Sequence, residues 1–553
     1  MAAYCQTHFE MSHFCLVPFA KTWSLSKHKI NEKKSLIFRN IGMVVLEFDF
    51  VVVGAGSAGC ALASRLSENG RYTVALLEAG GRDTSPWIHI PVGYFKTMGN
   101  PKTDWCYQTQ PDPGLNGRSI PWPRGKVLGG SSSINGLLYV RGQAEDFEGW
   151  RQLGNVGWGW DDVLPFFRRS ESWEDGESEV RGGDGPLTVS KTRLSREVVD
   201  RWVDAAIASG YPKNEDYNGH SQEGVGYFQL TAKNGKRCSS AAAYLKPARS
   251  RKNLELIVNA QAERLQLDGH RVVGVEYFVK GVKKAVKARH EVILSSGAIG
   301  SPQLMMVSGI GSGQELADHG IDVVSDLAGV GKNLQDHLQA RPVFKCSVPT
   351  INTEIGNLFR QGMMAMQYAA TRSGPMTMAA SLGTGFIKSR SELATPDLQF
   401  HIQPWSADKP SEGPHKFSAF TASILQMRPE STGRLELRSA TMRDHPAIYP
   451  NYLATQLDCE TLVEGIRIAR KICRKSPVAD VITEEHAPGH EILDDDYDGL
   501  LNWARDTATT IYHPTGTCKM GADAKAVVDE RLRVKGVDGL RVADASIMPI
   551  ITS

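Results

Sequence analysis

The sequence predicts an α/β chain, α+β overall, in which a doubly wound domain assembled from discontinuous pieces joins a second domain built on a mixed, largely antiparallel sheet. Three observations predict it. FDFVVVGAGSAGCALASRLSENGRYTVALLEAGG, residues 48–81, reads as strand, glycine turn, helix and strand; FSAFTASILQMRPESTGRLELRS, residues 417–439, alternates as two sheet strands joined at Pro429 to Gly433; and 553 residues exceed one ordinary domain. A composition of 41% hydrophobic and 22% charged residues is that of a globular protein with enough apolar mass for two cores.

The first element carries the strongest signal. A β-branched run leads into Gly54, Gly56 and Gly59, spaced G-x-G-x-x-G, and then into Ala58, Ala61, Leu62, Arg65 and Leu66 at helical spacing. Gly54 permits the tight turn, Gly56 lets backbone N–H groups approach a pyrophosphate, and Gly59 lets the helix lie close to the strand. The pyrophosphate would then rest on the helix N-terminus, and Glu78, ending the second strand, would accept from a ribose hydroxyl. This is a dinucleotide site, and the unit alone does not separate NAD from FAD.

The next element, GKVLGGSSSINGLLYVRGQAEDFEGW from Gly125, runs glycines into serines and an asparagine, a loop of backbone N–H groups and hydroxyls suited to an extended cofactor. Together with GAIGSPQLMMVSGIG (Gly297 to Gly311), GVGKNLQDH (Gly329 to His337), YHPTGTCKMG (Tyr512 to Gly521) and LRVADASIMP (Leu540 to Pro549), it resembles the glucose-methanol-choline (GMC) oxidoreductase family, in its alcohol and choline dehydrogenase-like branch. The resemblance runs from about residue 47 to the last residue. It implies FAD, with Gly54, Gly56, Ser57, Ala58 and Glu78 on its ADP half, and Val127, Gly130, Ser131, Asn135 and Gly136 along the pyrophosphate and isoalloxazine. It also implies Ala262 at the adenine, and Asp544 and Ala545 at the ribityl and pyrophosphate region. Some relatives link the flavin covalently through a histidine in the serine-rich loop; Ile134 occupies that place, so non-covalent FAD is expected.

His513 follows from chemistry and resemblance together. Oxidising an alcohol removes a hydride from carbon and a proton from oxygen; flavin N5 takes the hydride, and a neutral imidazole is suited to the proton. The resemblance gives the histidine of H-P-x-G-T that catalytic role, with Pro514 and Gly516 fixing its loop. His337, in NLQDH, is assigned a structural role after a helix-terminating motif. His486 and His490 have the spacing of a helical zinc pair, but Pro488 and Gly489 break such a helix and a solvated loop is expected; Asp494, Asp495 and Asp496 read as the acidic first turn of a helix. No metal is expected.

The expected function is FAD-dependent oxidation of a primary alcohol to an aldehyde, with choline oxidation as the alternative. Where choline-oxidising relatives carry a carboxylate two residues after the QDH histidine, this chain has Gln339, which cannot balance a quaternary ammonium. Partners are a small alcohol and an electron acceptor, quinone or other, with oxygen left open. The 63 basic and 61 acidic residues give a formal +2 without long runs of one sign, so no nucleic acid is expected. Nine scattered cysteines without a C-x-x-C pair indicate neither a disulfide framework nor zinc, and no apolar run is long enough for an integral membrane span. Cytoplasmic localisation is expected, with peripheral contact to the inner membrane left open. The domain expectation is residues 43–160, 225–335 and 505–553 for FAD, residues 161–224 and 336–504 for substrate, and residues 1–42 as an extension outside the fold, Met43 being an alternative start. Finally, the resemblance implies a further loop with a second catalytic side chain and a terminal helix beyond ADASIMPIITS; a truncated C-terminus and a catalytically impaired product are therefore expected.

Overall fold

The computed structural model describes residues 46–408 and 413–553. The extension expected at residues 1–42 lies outside them. The first sheet is centred on strand Leu46–Val53, which pairs in parallel with Val74–Leu77 on one side and Val282–Leu294 on the other. Leu254–Ile257 extends the parallel order beyond Val74–Leu77, and Leu540–Val542 pairs in parallel with the end of Val282–Leu294. An antiparallel meander completes the sheet, with Arg271–Val279 between Val282–Leu294 and Ala260–Asp268. Residues Phe50 to Val53 are buried on both faces, as a continuous β-branched run in a parallel strand requires. Helix Ser57–Leu66 follows directly, and its Ala58, Ala61 and Leu62 are buried in the same core as the strand.

The second sheet runs in the order Ile482–Ala487, Val343–Cys346, Ala419–Gln426, Leu398–Gln403, Gly383–Ile387 and Gly224–Tyr227, all neighbours antiparallel. Short strand Leu338–Ala340 joins Ala419–Gln426 to Thr509–Thr510. Alternation divides its two faces. Phe400, Ile402, Ala422 and Ile424 enter an apolar core with Trp202 and Ile468, beneath helices Glu197–Ala208 and Gln456–Cys473. Gly465 lets the second helix approach closely, since a Cβ there would stand 2.6 Å from Ile424 Cγ2. The opposite face carries buried polar side chains instead, with His401 paired across from Ser423 and Gln403 across from Thr421.

The α/β class, the doubly wound sheet and the separate antiparallel sheet agree with the sequence reading. One pairing does not. The two alternating strands expected around Pro429 to Gly433 exist as Ala419–Gln426 and Arg434–Glu436, but they belong to different sheets, the latter pairing with Ala447–Tyr449. Asp496 caps helix Tyr497–Thr507 by accepting from Gly499 N at 2.9 Å, the acidic first turn expected there. His486 lies on a strand, half-buried, and not in a solvated loop. Its ring meets that of His415, whose Nε2 is 3.1 Å from Asp408 Oδ1, an ion-pair geometry.

Candidate active site

Two glycine-rich loops meet at the head of the first sheet. Gly54 has φ +100°, open to glycine and strained for other residues, and a Cβ there would stand 2.5 Å from Ser295 O. At Gly59 a Cβ would lie 1.9 Å from Gly54 O, so helix and strand touch through that glycine. Gly56 differs: the nearest protein atom to a Cβ there is 3.8 Å away, so its backbone borders open space. The serine-rich loop closes that space from the other side, with Gly129 N donating to Ala55 O at 2.8 Å. Gly130, at φ +53°, lies so near that a Cβ would be 2.7 Å from Gly56 Cα.

An anionic cofactor fits this cradle. Helix Ser57–Leu66 has no side-chain cap and no acidic residue in its first turn, leaving its leading N–H groups free for a phosphate. Glu78 is buried, its Oε2 accepting from Ala55 N at 3.0 Å and its Oε1 from Gly80 N at 2.8 Å. Burial raises its carboxyl to about 7, and each oxygen retains a lone pair for a ribose hydroxyl. Ser131 Oγ accepts from Gly125 N, while Val127 and Ile134 pack with Ile88 behind the loop. Asn135 is exposed; its Oδ1 accepts from Leu137 N at 3.1 Å and from Arg237 Nη1 at 2.5 Å. A Cβ on Gly136 would meet Ala380 Cβ at 2.3 Å. Ala262 sits where the ladder to Arg271–Val279 is interrupted, two residues after Ala260, whose N–H donates to Glu78 O. Asp544 has both oxygens occupied, Oδ2 by Gly297 N and Ser301 Oγ and Oδ1 by Ser546. Its side chain thus locks helix Gly297–Val307 to the loop that carries Ala545.

Arg237 was not read from the sequence. It makes three hydrogen bonds to this loop, to Ser132 O, Asn135 Oδ1 and Asn135 O, and a fourth to Ile88 O, and burial lowers its pKa to about 9. No local pattern marks it, because Asn135 is 102 residues away.

His513 stands where the two sheets approach. Its loop is bracketed by the QDH segment: Gln335 and Thr515 exchange backbone hydrogen bonds at 3.1 and 2.9 Å, and Asp336 Oδ1 accepts from His513 N at 2.7 Å. The buried Asp336 carboxylate also accepts from Thr510 Oγ1 at 2.5 Å and from the Tyr452 hydroxyl. Tyr512 is held at φ +75°, a left-handed conformation uncommon for a bulky residue, and its carbonyl accepts from Arg124 Nη2 at 2.5 Å. The conformation immediately before His513 is therefore over-determined from both sides.

The ring of His513 is fixed through His337. His337 Nε2 lies 2.7 Å from Met427 O, and a carbonyl only accepts, so Nε2 carries the hydrogen. Burial lowers the His337 pKa to about 4, so its Nδ1 is bare at neutral pH. His513 Nδ1, 3.1 Å away, must then donate to it, which leaves His513 Nε2 unprotonated. Burial first, then the neighbouring His337 and Arg124, hold the His513 pKa well below the ordinary histidine value. The residue is nevertheless exposed to solvent. His337, expected to be structural after a helix terminus, instead follows no helix and sets the tautomer of its neighbour; the adjacent carboxylate of QDH was the available sign that this segment does more than end an element. His401, two strands away, directs Nδ1 at Ser381 Oγ at 3.2 Å and buries Nε2 without a partner.

Known proteins resemble the chain over most of its length. The family models described as GMC oxidoreductase match residues 48–339 and 429–553. Mitochondrial choline dehydrogenase from Mus musculus is 42% identical over 517 residues, 92% of this chain and 86% of that protein. The oxygen-dependent choline dehydrogenase of Vibrio vulnificus is 41% identical, covering 91% of this chain and 90% of its own. Among solved structures, pyridoxine 4-oxidase from Mesorbium loti superposes with a TM-score of 0.83 at 31% identity, over 91% of this chain and 95% of that one. Formate oxidase gives 0.85 at 28%, over 92% and 95%.

The expectation of a truncated C-terminus is overturned by the match of the C-terminal family model through residues 429–553. The expected catalytic impairment rested on it and falls with it. The last residues are packed, Ile551 N donating to Gln335 Oε1 at 3.1 Å and Ser553 N to Asp146 Oδ2 at 2.9 Å. With a cradle shaped for a dinucleotide and both family models matched, the chain belongs to the GMC oxidoreductases and is an FAD-dependent enzyme that oxidises CH–OH donors.

Proposed function

We propose that the protein oxidises a primary alcohol to its aldehyde, with His513 as proton acceptor and FAD bound non-covalently. The observation that carries this is the hydrogen-bond relay from Met427 O through His337 to His513, which leaves His513 Nε2 bare on a solvent-exposed residue. FAD, when bound, supplies the hydride acceptor at flavin N5. The substrate loses a hydride from its hydroxymethyl carbon and a proton from oxygen to His513 Nε2, and the C–O bond becomes the aldehyde. Asp336 and Arg124 hold the His513 loop during this step; His337 keeps the bare nitrogen pointing forward and accepts from the cation that forms. In this reading residues 43–160, 225–335 and 505–553 hold the cofactor, and residues 161–224 and 336–504 bring the polar sheet face over it.

Because His513 is held below the usual histidine value, its base form is complete at neutral pH and is lost only on acidification. The acid limb of kcat/KM is therefore expected below pH 6.5, the ordinary value, with a plateau above it. A pH profile with its limb at 7 or higher would contradict the assignment. With Ile134 buried in the place of a linking histidine, flavin is expected to leave the polypeptide on acid precipitation. Yellow colour retained in the washed pellet would show a covalent link.

The relatives' names favour choline as the second reading. Against it stands Gln339, whose Oε1 is buried without a partner and whose Nε2 donates weakly to Thr510 O at 3.4 Å. An amide there offers no countercharge to a quaternary ammonium. The electron acceptor, quinone or oxygen, depends on access to the bound flavin and is decided by turnover with each.

A further inference from the structure

His337, Gln339 and Arg341 are alternate residues along one strand edge, so the histidine relay, the orphaned amide and a guanidinium follow one another on one face. Arg341 is half-buried and short of partners. Arg181 pairs with Glu171 and Asp216, Arg470 pairs with Glu485 and Asp494, and Arg237 spends its donors on four acceptors. Arg341 makes one long hydrogen bond, Nη2 to Gln403 Oε1 at 3.4 Å, and among the described residues no carboxylate lies within ion-pair distance. Its Nε is buried without a partner.

The groups around it are donors or neutral. The guanidinium carbon stands 5.7 Å from the centroid of the Trp405 ring, and its titratable neighbours are the phenols of Tyr512 and Tyr94. Trp405 Nε1 and Tyr94 Oη are themselves buried without partners. A cation with one unpartnered N–H, beside an N–H and an O–H donor that lack acceptors, forms a place for an anion and repels a quaternary ammonium. The planar fork of arginine matches a carboxylate.

We propose that Arg341, Trp405 and Tyr94 form a carboxylate subsite, and that the preferred substrate is an ω-hydroxy acid whose hydroxyl reaches His513. The four-residue step from His337 to Arg341 spans about 13 Å of extended strand, so several carbons separate the two functional groups. This deepens the alcohol-oxidising reading and rests on it.

The test uses FAD-loaded, unaltered protein first. Hexanoate, hexanamide and tetramethylammonium are titrated by calorimetry and by perturbation of the bound-flavin spectrum, and kcat/KM is compared for 6-hydroxyhexanoate, 1-hexanol and choline. Hexanoate is expected to bind at least tenfold tighter than hexanamide, and 6-hydroxyhexanoate to exceed 1-hexanol by at least tenfold. Arg341→Met is expected to erase both preferences and Arg341→Lys to keep part of them. Hexanoate binding no tighter than hexanamide, or tetramethylammonium binding tighter than hexanoate, overturns the subsite, and this comparison needs no variant to fold. Turnover of 1-hexanol without carboxylate preference defeats the subsite alone. Carboxylate binding without oxidation of any alcohol supports the subsite and defeats the alcohol-oxidising reading.

Discussion

His513→Ala is expected to lower alcohol oxidation by about a hundredfold or more while FAD stays bound, the usual scale for loss of a general base. The expected effect is large because, among the described residues, the neighbouring imidazoles are already committed. His337, the nearest imidazole, has Nε2 committed to Met427 O and Nδ1 committed to His513. His401 lies two strands away, its Nδ1 directed at Ser381 Oγ and its Nε2 buried without a partner. FAD should remain because, among the described residues, the hydrogen bonds of His513 go to His337 and, through the backbone, to Asp336, and none goes to Gly56 or Gly130. Steady-state kinetics and the flavin-to-protein absorbance ratio check both halves. Activity equal to the unaltered protein would remove His513 from the chemistry.

Gly59→Val is expected to abolish FAD binding and destabilise the fold. A Cβ at this position would sit 1.9 Å from Gly54 O and 3.0 Å from Gly54 C, both backbone atoms that no rotamer change can move. Helix Ser57–Leu66 must lift off strand Leu46–Val53, at a cost on the order of 3 kcal/mol. The same movement carries away the free N–H groups that face the phosphate. Gly149→Ala is the control, lying in helix Ala144–Gln152 with nothing within 4 Å of its new Cβ. There alanine is expected to be neutral or to stabilise by about 0.5–1 kcal/mol. Thermal unfolding and flavin occupancy of the two variants should diverge; equal flavin occupancy in both would show that the close helix approach does not matter.

The cofactor cradle was legible in the sequence because its requirements are local. A positive φ at Gly54 and the contact of Gly59 with a carbonyl five residues earlier leave a glycine pattern that reads without knowing the rest of the fold. His513 was legible through its motif. Its support was not: Asp336 reaches His513 N across 177 residues, Arg124 reaches Tyr512 O across 388, and His337 meets His513 across 176. Such partners leave no periodic trace. The same limit misplaced the strands around Pro429 to Gly433, whose alternation was correct while their pairing was set by Leu398–Gln403 on one side and Ala447–Tyr449 on the other.

The most direct measurement is anaerobic rapid mixing of FAD-loaded protein with a primary alcohol, unaltered and as His513→Ala, following the oxidised-flavin absorbance in a single turnover. The unaltered protein is expected to bleach fully, more slowly with substrate deuterated at the hydroxymethyl carbon, and the variant to bleach about a hundredfold more slowly or beyond. Bleaching at equal rates in the two proteins, or none in the unaltered protein with any alcohol tried, would contradict proton removal by His513 during alcohol oxidation.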